Sequence, residues 1–319
     1  MLTVNHDYWD QLSTVLTTYG LRQSEYDPCL FFGPDKGKVD PEKPHLEGFR
    51  YLHVMVDDFA TFHENTATAH TNYDAFIAHV HESFPIGSSG ELQWYLGMRI
   101  SDMEDGSIMV SHARHVGRFL KAHGLGQCTP PSAPYEHGMM KSIIARGRHS
   151  LESSDHKVDS TMYRAYLQEM AYIGEISHPE IQATVSILQQ FCIEPRESHL
   201  RAVSHCAKYL RGVFKKTLVY PPIKPQLEAS VDSDWAADTE TRFSRKGHET
   251  RANGVAIIST KSSLSRCIAL SATEAEYIAV CDLVCDLIYF SGLFKDFGYP
   301  QEKIMVDEDN TGVLSYSRD

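Results

Sequence analysis

The sequence predicts an α+β chain, and three observations carry that expectation. Short runs rich in β-branched and aromatic residues alternate with segments whose apolar residues recur every three or four positions. Two of the short runs flank Asp57-Asp58 and two more flank Glu104-Asp105-Gly106, which is hairpin punctuation. Finally, residues 127–158 are rich in Pro, Ser, His and charge with no sustained apolar period, so they read as a linker between two units.

Composition sets the outer bounds. With 319 residues and 42% hydrophobic content, the chain can bury one or two sizeable cores, and wholesale disorder is excluded. Thirty Lys and Arg against 42 Asp and Glu give a formal charge of −12. That balance excludes indiscriminate phosphate binding, which draws its affinity from clustered cations. Seven Cys without a CxxC pair, and no secretory apolar region after Met1, point to a reduced intracellular compartment, cytoplasm or nucleus, and not to secretion. The most apolar stretch, Tyr277 to Phe290, is interrupted by Asp282 and Asp286 and is shorter than the ~20 residues of a membrane span, so no membrane partner is expected.

Taken in order, Asp7 to Gly20 carries Trp9, Leu12, Val15 and Leu16 at helical spacing and stops at a glycine. A strand is expected at Cys29 to Phe32, a polar loop at Pro34 to Lys43, and a hairpin from Arg50 to Val56 and Phe59 to Phe62. Asn72 to Phe84 reads as helix, Trp94 to Ile100 and Ser107 to Ser111 as strands, and Val116 to His123 as a helix ended by Gly124. After the linker, Tyr163 to Leu188 and His199 to Arg211 read as helices, with Pro179 and Pro195 marking turns or first-turn positions. Beyond Pro221 the order is three strands, a helix, a strand and a short helix.

Within that last part, Leu227 to Trp235 alternates, which places Asp232 and Asp234 on one face. Ser271 or Thr273 can cap the next helix, whose stripe is read as Ile278, Cys281, Cys285 and Ile288, with Glu274 leading it and the two Cys as core packing. Ser271 with Glu274 and Thr273 with Glu276 both fit a capping box, so a helix-start role for either Glu stays open. Asp309 ends the strand Lys303 to Glu308. Acids from a strand, a helix start and a strand end can converge, and such a cluster repels itself unless divalent cations occupy it. Elsewhere, His112 and His115 have the i, i+3 spacing of a metal pair but lack further ligands nearby, while His79 and His81 diverge on a helix. Lys208, Arg211, Lys215 and Lys216, around Tyr209 and Phe214, form the densest basic patch; it fits a nucleic-acid backbone contact or a solvated helix end.

Read in order, Asp27-Pro28-Cys29-Leu30-Phe31, Val56-Asp57-Asp58, Gly90-Glu91-Leu92 with Leu96-Gly97, Tyr163-Arg164, Pro179-Glu180-Ile181, Lys208 to Gly212, Asp232 to Ala236, Ala269 to Ser271 leading into Thr273 to Tyr277, and Asp309-Asn310 resemble the pol region of copia-type LTR retrotransposons. The resemblance covers nearly the whole chain. It implies a partial reverse-transcriptase palm at 1–126, a helical connection at 159–222 and a ribonuclease H-like mixed sheet with helices at 223–319. It further implies Asp57 and Asp58 as remnants of a polymerase site, and Asp232, Glu274 and Asp309, with Asp234 as an additional candidate, as ligands for Mg²⁺ or Mn²⁺. The partners implied are an RNA·DNA hybrid or a template-primer, and other pol segments such as an integrase. Two departures bear on activity. No acid on a suitable strand precedes the hairpin, so polymerase inactivity is expected, and the chain ends soon after Asp309, so the ribonuclease H-like site is expected to lack its C-terminal segment. A non-catalytic relic or co-opted interaction protein that keeps only the fold is the competing expectation.

Overall fold

The computed structural model describes residues 2–34, 47–56, 58–87, 90–146, 155–238 and 240–316. Mixed α+β architecture is what it contains, with nine α-helices and three sheets among the described residues. The chain divides into two compact units, residues 1–95 with 289–300, and residues 96–288 with 301–319.

The first unit opens with helix α1 (Leu2–Tyr19). Leu12 and Leu16, one turn apart, are fully buried, and Gly20 ends the helix in the left-handed region at φ 116°, where a side chain would be strained. Strands β1 (Arg22–Gln23), β2 (Leu30–Phe32), β3 (Phe49–Met55) and β4 (Asp58–His63) follow as an antiparallel sheet in sequential order. Leu52 and Val54 alternate inward from β3 and are fully buried with Phe31, Phe49 and Phe76. Helix α2 (Ala67–Ser83) starts at Thr66, whose side chain accepts the Ala69 N–H at 3.2 Å, and buries Phe76 and Val80 against that sheet's core. The two-residue strand β5 (Trp94–Tyr95) closes the stretch, because Leu96 and Gly97 take positive φ (49° and 78°) and break the longer strand expected there.

The second unit begins with β6 (Met98–Asp102), β7 (Ile108–Ser111) and helix α3 (Ala113–Ala122). Residues 96–126, read from sequence with the first part, thus group with the second. Helices α4 (Met139–Arg146), α5 (Ser160–Ile176), α6 (Gln182–Gln189) and α7 (Glu197–Val213) build its helical core with α3. The linker expected at 127–158 therefore differs from what is observed: Met140 and Ile143 are buried in that core. One turn of apolar spacing, Met139-Met140 and Ile143-Ile144, is enough to anchor the segment, and a search for sustained periodicity misses it. The single helix expected over Tyr163 to Leu188 is split. Proline disfavours helical backbone at the residue before it, so α5 ends at Ile176, and Pro179–Ile181 forms a 3₁₀ turn before α6 resumes.

Strand β8 (Leu218–Tyr220) pairs with β7, and then comes the site-bearing sheet: β9 (Leu227–Asp234), β10 (Arg245–Ala252) and β11 (Ala256–Leu264) as an antiparallel meander. Helix α8 (Ala272–Asp296) follows, then β12 (Met305–Asp307), which returns parallel to β9 to give the order β11-β10-β9-β12, and the short helix α9 (Thr311–Tyr316). Leu227, Ala229 and Val231 of β9 are buried, leaving the acids on the alternate positions. α8 meets this sheet through Ala279, Leu283 and Leu287. Its inward stripe therefore differs from the one read in the sequence: Cys281, Cys285 and Ile288 are exposed, so the core role expected for the two Cys is not theirs. The helix is apolar nearly all round, so two stripes qualify by period, and only the pairing of Asp286 with His248 (2.8 Å) and of Asp282 with Lys246 fixes which one faces β10. At 25 residues α8 also exceeds the apolar stretch seen in sequence and is long and apolar enough to cross a membrane by length and composition alone.

Candidate carboxylate site

At the end of β9, Asp232 faces away from the buried Val231 and sits opposite Gly247 of β10. Asp309 follows β12 by two residues. Between them comes Glu276 from the first turns of α8, and the carboxylate oxygens of these three residues lie within 4.8 Å of one another. Asp232 and Asp309 are exposed, whereas Glu276 is 6% exposed. Its Oε2 is buried without a hydrogen-bond partner among the described residues. Burial pushes the Glu276 carboxyl up to about 7, helped by the neighbouring charges of Glu308, Asp232 and Asp309 and opposed by the Ser233 N–H.

The surroundings fix these groups in place. Ser233 donates its N–H to Asp232 Oδ1 (2.9 Å), and Asn310 donates its N–H to Glu308 Oε1 (2.8 Å) while Glu308 Oε2 is buried without a hydrogen-bond partner among the described residues. Asn310 Oδ1 accepts the Gly312 N–H (3.0 Å) and the Thr273 hydroxyl (3.3 Å), tying the start of α9 to the start of α8. That approach is close: a Cβ on Gly312 would fall 2.7 Å from Thr273 Cγ2, which only glycine avoids. On the β12 side an acidic cleft of 470 Å³ is lined by Asp232, Asp307, Glu308 and Asp309.

The remaining candidates sit as follows. Glu274, read from sequence as a ligand, lies outside this cluster: its carboxylate accepts the Leu270 N–H (2.7 Å) and its own N–H is donated to Ser271 Oγ (3.1 Å), the reciprocal pattern of a helix-start cap. Asp234 is exposed on the other side of Asp232, in a second cavity of 460 Å³ shared with Arg245. Asp57 lies outside the described residues. Asp58 opens β4 opposite Met55, and among the described residues it joins no group of three metal-ligating side chains. Close by, the Tyr95 phenol meets His53 Nδ1 at 2.6 Å and is pushed up to about 12 by burial and by the charges of Asp58 and Cys29. Of the basic patch, Arg211 Nε donates to Gly126 O (2.8 Å), Lys215 lies over the Phe214 ring and Lys216 pairs with Glu180 (3.8 Å). Lys208 instead lines a cavity. The His112 and His115 rings stack at 4.5 Å rather than converging on a metal. Sequence reasoning missed Glu276 and Glu308, because the capping-box spacing fits Ser271 with Glu274 and Thr273 with Glu276 equally and does not say which helix-start acid folds back as a cap.

No protein-family model matches the chain. A retrovirus-related Pol polyprotein from a transposon of Nicotiana tabacum is 25% identical over 313 residues, 98% of this chain. The match spans 22% of that polyprotein's own length, so this chain corresponds to about a fifth of it. An uncharacterized mitochondrial protein of Arabidopsis thaliana is 25% identical over 76% of this chain and 94% of its own. A putative transposon protein of the Ty5 type from Saccharomyces cerevisiae is 23% identical over 76% of this chain and 75% of its own. Along nearly its whole length the chain is thus similar to part of a retrotransposon Pol polyprotein, and over about three quarters of it to a Ty5-type transposon protein, as a copia-type pol fragment would be.

Proposed function

We propose that residues 223–319 are a ribonuclease H-like domain that hydrolyses the RNA strand of an RNA·DNA hybrid, with Asp232, Glu276 and Asp309 as ligands for Mg²⁺ or Mn²⁺. The observation that supports this most is the buried, unpartnered Glu276 Oε2 beside two exposed carboxylates. A buried acid left without a hydrogen-bond donor is costly, and a divalent cation satisfies it while relieving the repulsion among the three. When bound, such cations supply a polarised water and stabilise charge on the leaving oxygen. The chain's own part is positional: Ser233 holds Asp232, and Asn310 with Thr273 holds the turn that carries Asp309. Asp232 and Asp309 are open to a strand lying over the cleft, while Glu276 anchors from behind.

Under the same reading residues 1–126 derive from a reverse-transcriptase palm without polymerase activity, because a two-metal site needs more carboxylates than the Asp57-Asp58 pair provides. The protein acts inside the cell alongside other pol segments such as an integrase, with all seven cysteines free. Incubation of a labelled RNA·DNA hybrid with the full chain and Mg²⁺ or Mn²⁺ tests the proposal. Cleavage that is lost in Asp232→Asn supports it. Cation-dependent stabilisation without cleavage supports a non-catalytic relic, and absence of both overturns the metal site.

A further inference from the structure

Helix α7 carries two cations that find no ion-pair partner among the described residues. Neither Arg201 nor Lys208 makes an ion pair or hydrogen bond with another described residue, although the chain has 42 acidic and only 30 basic side chains to pair them with. Both are exposed, and both line a cavity of 570 Å³ between one face of α7 and the segment Glu136–Ile143. Ser198, Arg201, Ser204, His205 and Lys208 recur at three- and four-residue steps, so they form one stripe, with the two cations about 10 Å apart along the axis at 1.5 Å per residue.

Two acids near this stripe are already committed. Glu136, the acid in the lining, pairs with His205 Nδ1 at 3.4 Å, and the other ring nitrogen of His205 donates to Ala133 O at 3.1 Å. Asp155, whose carboxylate feels the Arg201 charge, accepts the Ser198 N–H (2.9 Å) and hydroxyl (2.5 Å). What faces the open volume is therefore Arg201 and Lys208, neither in an ion pair among the described residues, the hydroxyls of Ser142 and Ser204, the His137 ring, and an apolar surface from Met139 and Ile143. The first turn of α4 adds its positive dipole end on the same side.

We propose that this cavity binds a nucleoside phosphate monoester, with the phosphate between Arg201 and Lys208, the serine hydroxyls donating to it, and the base against Met139 and Ile143. A phosphate dianion balances two cations where a carboxylate balances one, and its three oxygens accept several donors at once. The cavity falls within the roughly 300–1,000 Å³ typical of small-ligand sites and is far larger than a lone phosphate requires. Two sources present this chemistry, a free nucleoside monophosphate and the 5′-phosphorylated end of a nucleic-acid strand. The site shares no residue with the carboxylate cluster, so it stands whether or not that cluster holds metal.

Calorimetric titration of the full chain in EDTA tests it, with adenosine 5′-monophosphate, adenosine, and one short DNA strand bearing either a 5′-phosphate or a 5′-hydroxyl. Adenosine 5′-monophosphate is expected to bind and adenosine not to, with Arg201→Ala and Lys208→Ala each weakening binding at least about tenfold, the scale of one lost charge-assisted hydrogen bond. Lys224→Ala, exposed and outside the cavity, is expected to change nothing. Tighter binding of the 5′-phosphorylated strand than of the nucleotide assigns the strand end as the source, and equal or weaker binding assigns the free nucleotide. Equal binding of adenosine and its monophosphate, or an Arg201→Ala/Lys208→Ala variant as tight as the parent, overturns the proposal. Both side chains are exposed, so these substitutions leave the core untouched.

Discussion

Glu274 accepts the backbone N–H of Leu270 at 2.7 Å. That one contact separates the two acids of the helix start, because a carboxylate folded back over the first turn of α8 is turned away from the sheet while Glu276, two residues on, is buried beside Asp232 and Asp309. The two positions are therefore expected to respond oppositely to substitution. Glu274→Ala should cost about 0.5–2 kcal/mol, as loss of a helix cap does, and leave any Mg²⁺-dependent rise in melting temperature intact. Glu276→Gln should abolish that rise and leave the metal-free protein at least as stable as the parent, since it removes mutual repulsion. A metal response lost on Glu274→Ala and kept on Glu276→Gln would refute this division of roles.

Acidity of Glu276 gives a pH signature. Its carboxyl is raised to about 7 in the folded chain, so between the ordinary glutamate range and pH 7 the folded state holds a proton that the unfolded state has released. Stability without metal should fall as pH rises through that window and level off above it. Denaturant midpoints measured in EDTA at steps from pH 5 to pH 8 report the slope, and Glu276→Gln should flatten it. Adding Mg²⁺ should reverse the sign, because the cation binds the deprotonated form.

How much of this was legible in the sequence follows from how many local patterns were unique. The β9 alternation allowed a single reading, so Asp232 and the buried Leu227, Ala229 and Val231 are where that pattern puts them. The apolar surround of α8 allowed two readings, and spacing alone could not choose between the Ala279, Leu283, Leu287 stripe and the Cys281, Cys285, Ile288 stripe. Glu276 was lost with that choice, since the stripe decides which helix-start acid faces inward. Met140 and Ile143 were illegible for a different reason: one buried turn amid Pro, Ser and charge has no period to detect.

A second titration runs the other way. His178 Nε2 must donate to Val213 O (3.2 Å), the one proton of the Ser177 hydroxyl is shared between His178 Nδ1 (2.9 Å) and Ile173 O (3.3 Å), and Ser177 Oγ in turn accepts from His112 Nδ1 (3.1 Å). His112 Nε2 is then left buried without a hydrogen-bond partner among the described residues. Burial, then the neighbouring His115, His178 and Arg118, holds the His112 ring down to about 4. The folded chain therefore resists a proton that the unfolded chain takes up, and stability should be lost as pH falls from the ordinary histidine range toward 4. A His112→Gln variant should show a shallower acid slope than the parent. An identical slope would remove His112 as the cause.

Helix α8 offers the cleanest stability test, because its two apolar stripes differ in what they touch. Leu283 is fully buried against Ala229 and Val231 of β9, so Leu283→Ala removes buried methyl groups and opens a cavity between helix and sheet. A loss of about 2–5 kcal/mol is expected for such a truncation. Cys281 and Cys285 lie on the solvent side, where substitutions remote from packing stay within about 0.5 kcal/mol, so Cys281→Ala and Cys285→Ala should leave the denaturant midpoint nearly unmoved. The contrast bears on the site as well as on the fold. Glu276 lies seven residues before Leu283, two helical turns along the same face, so rotating α8 enough to bury the cysteines would swing that carboxylate away from Asp232. A Cys281→Ala/Cys285→Ala double variant destabilised as much as Leu283→Ala would mean that the other stripe faces β9, and the three-carboxylate cluster would fall with the helix orientation that assembles it.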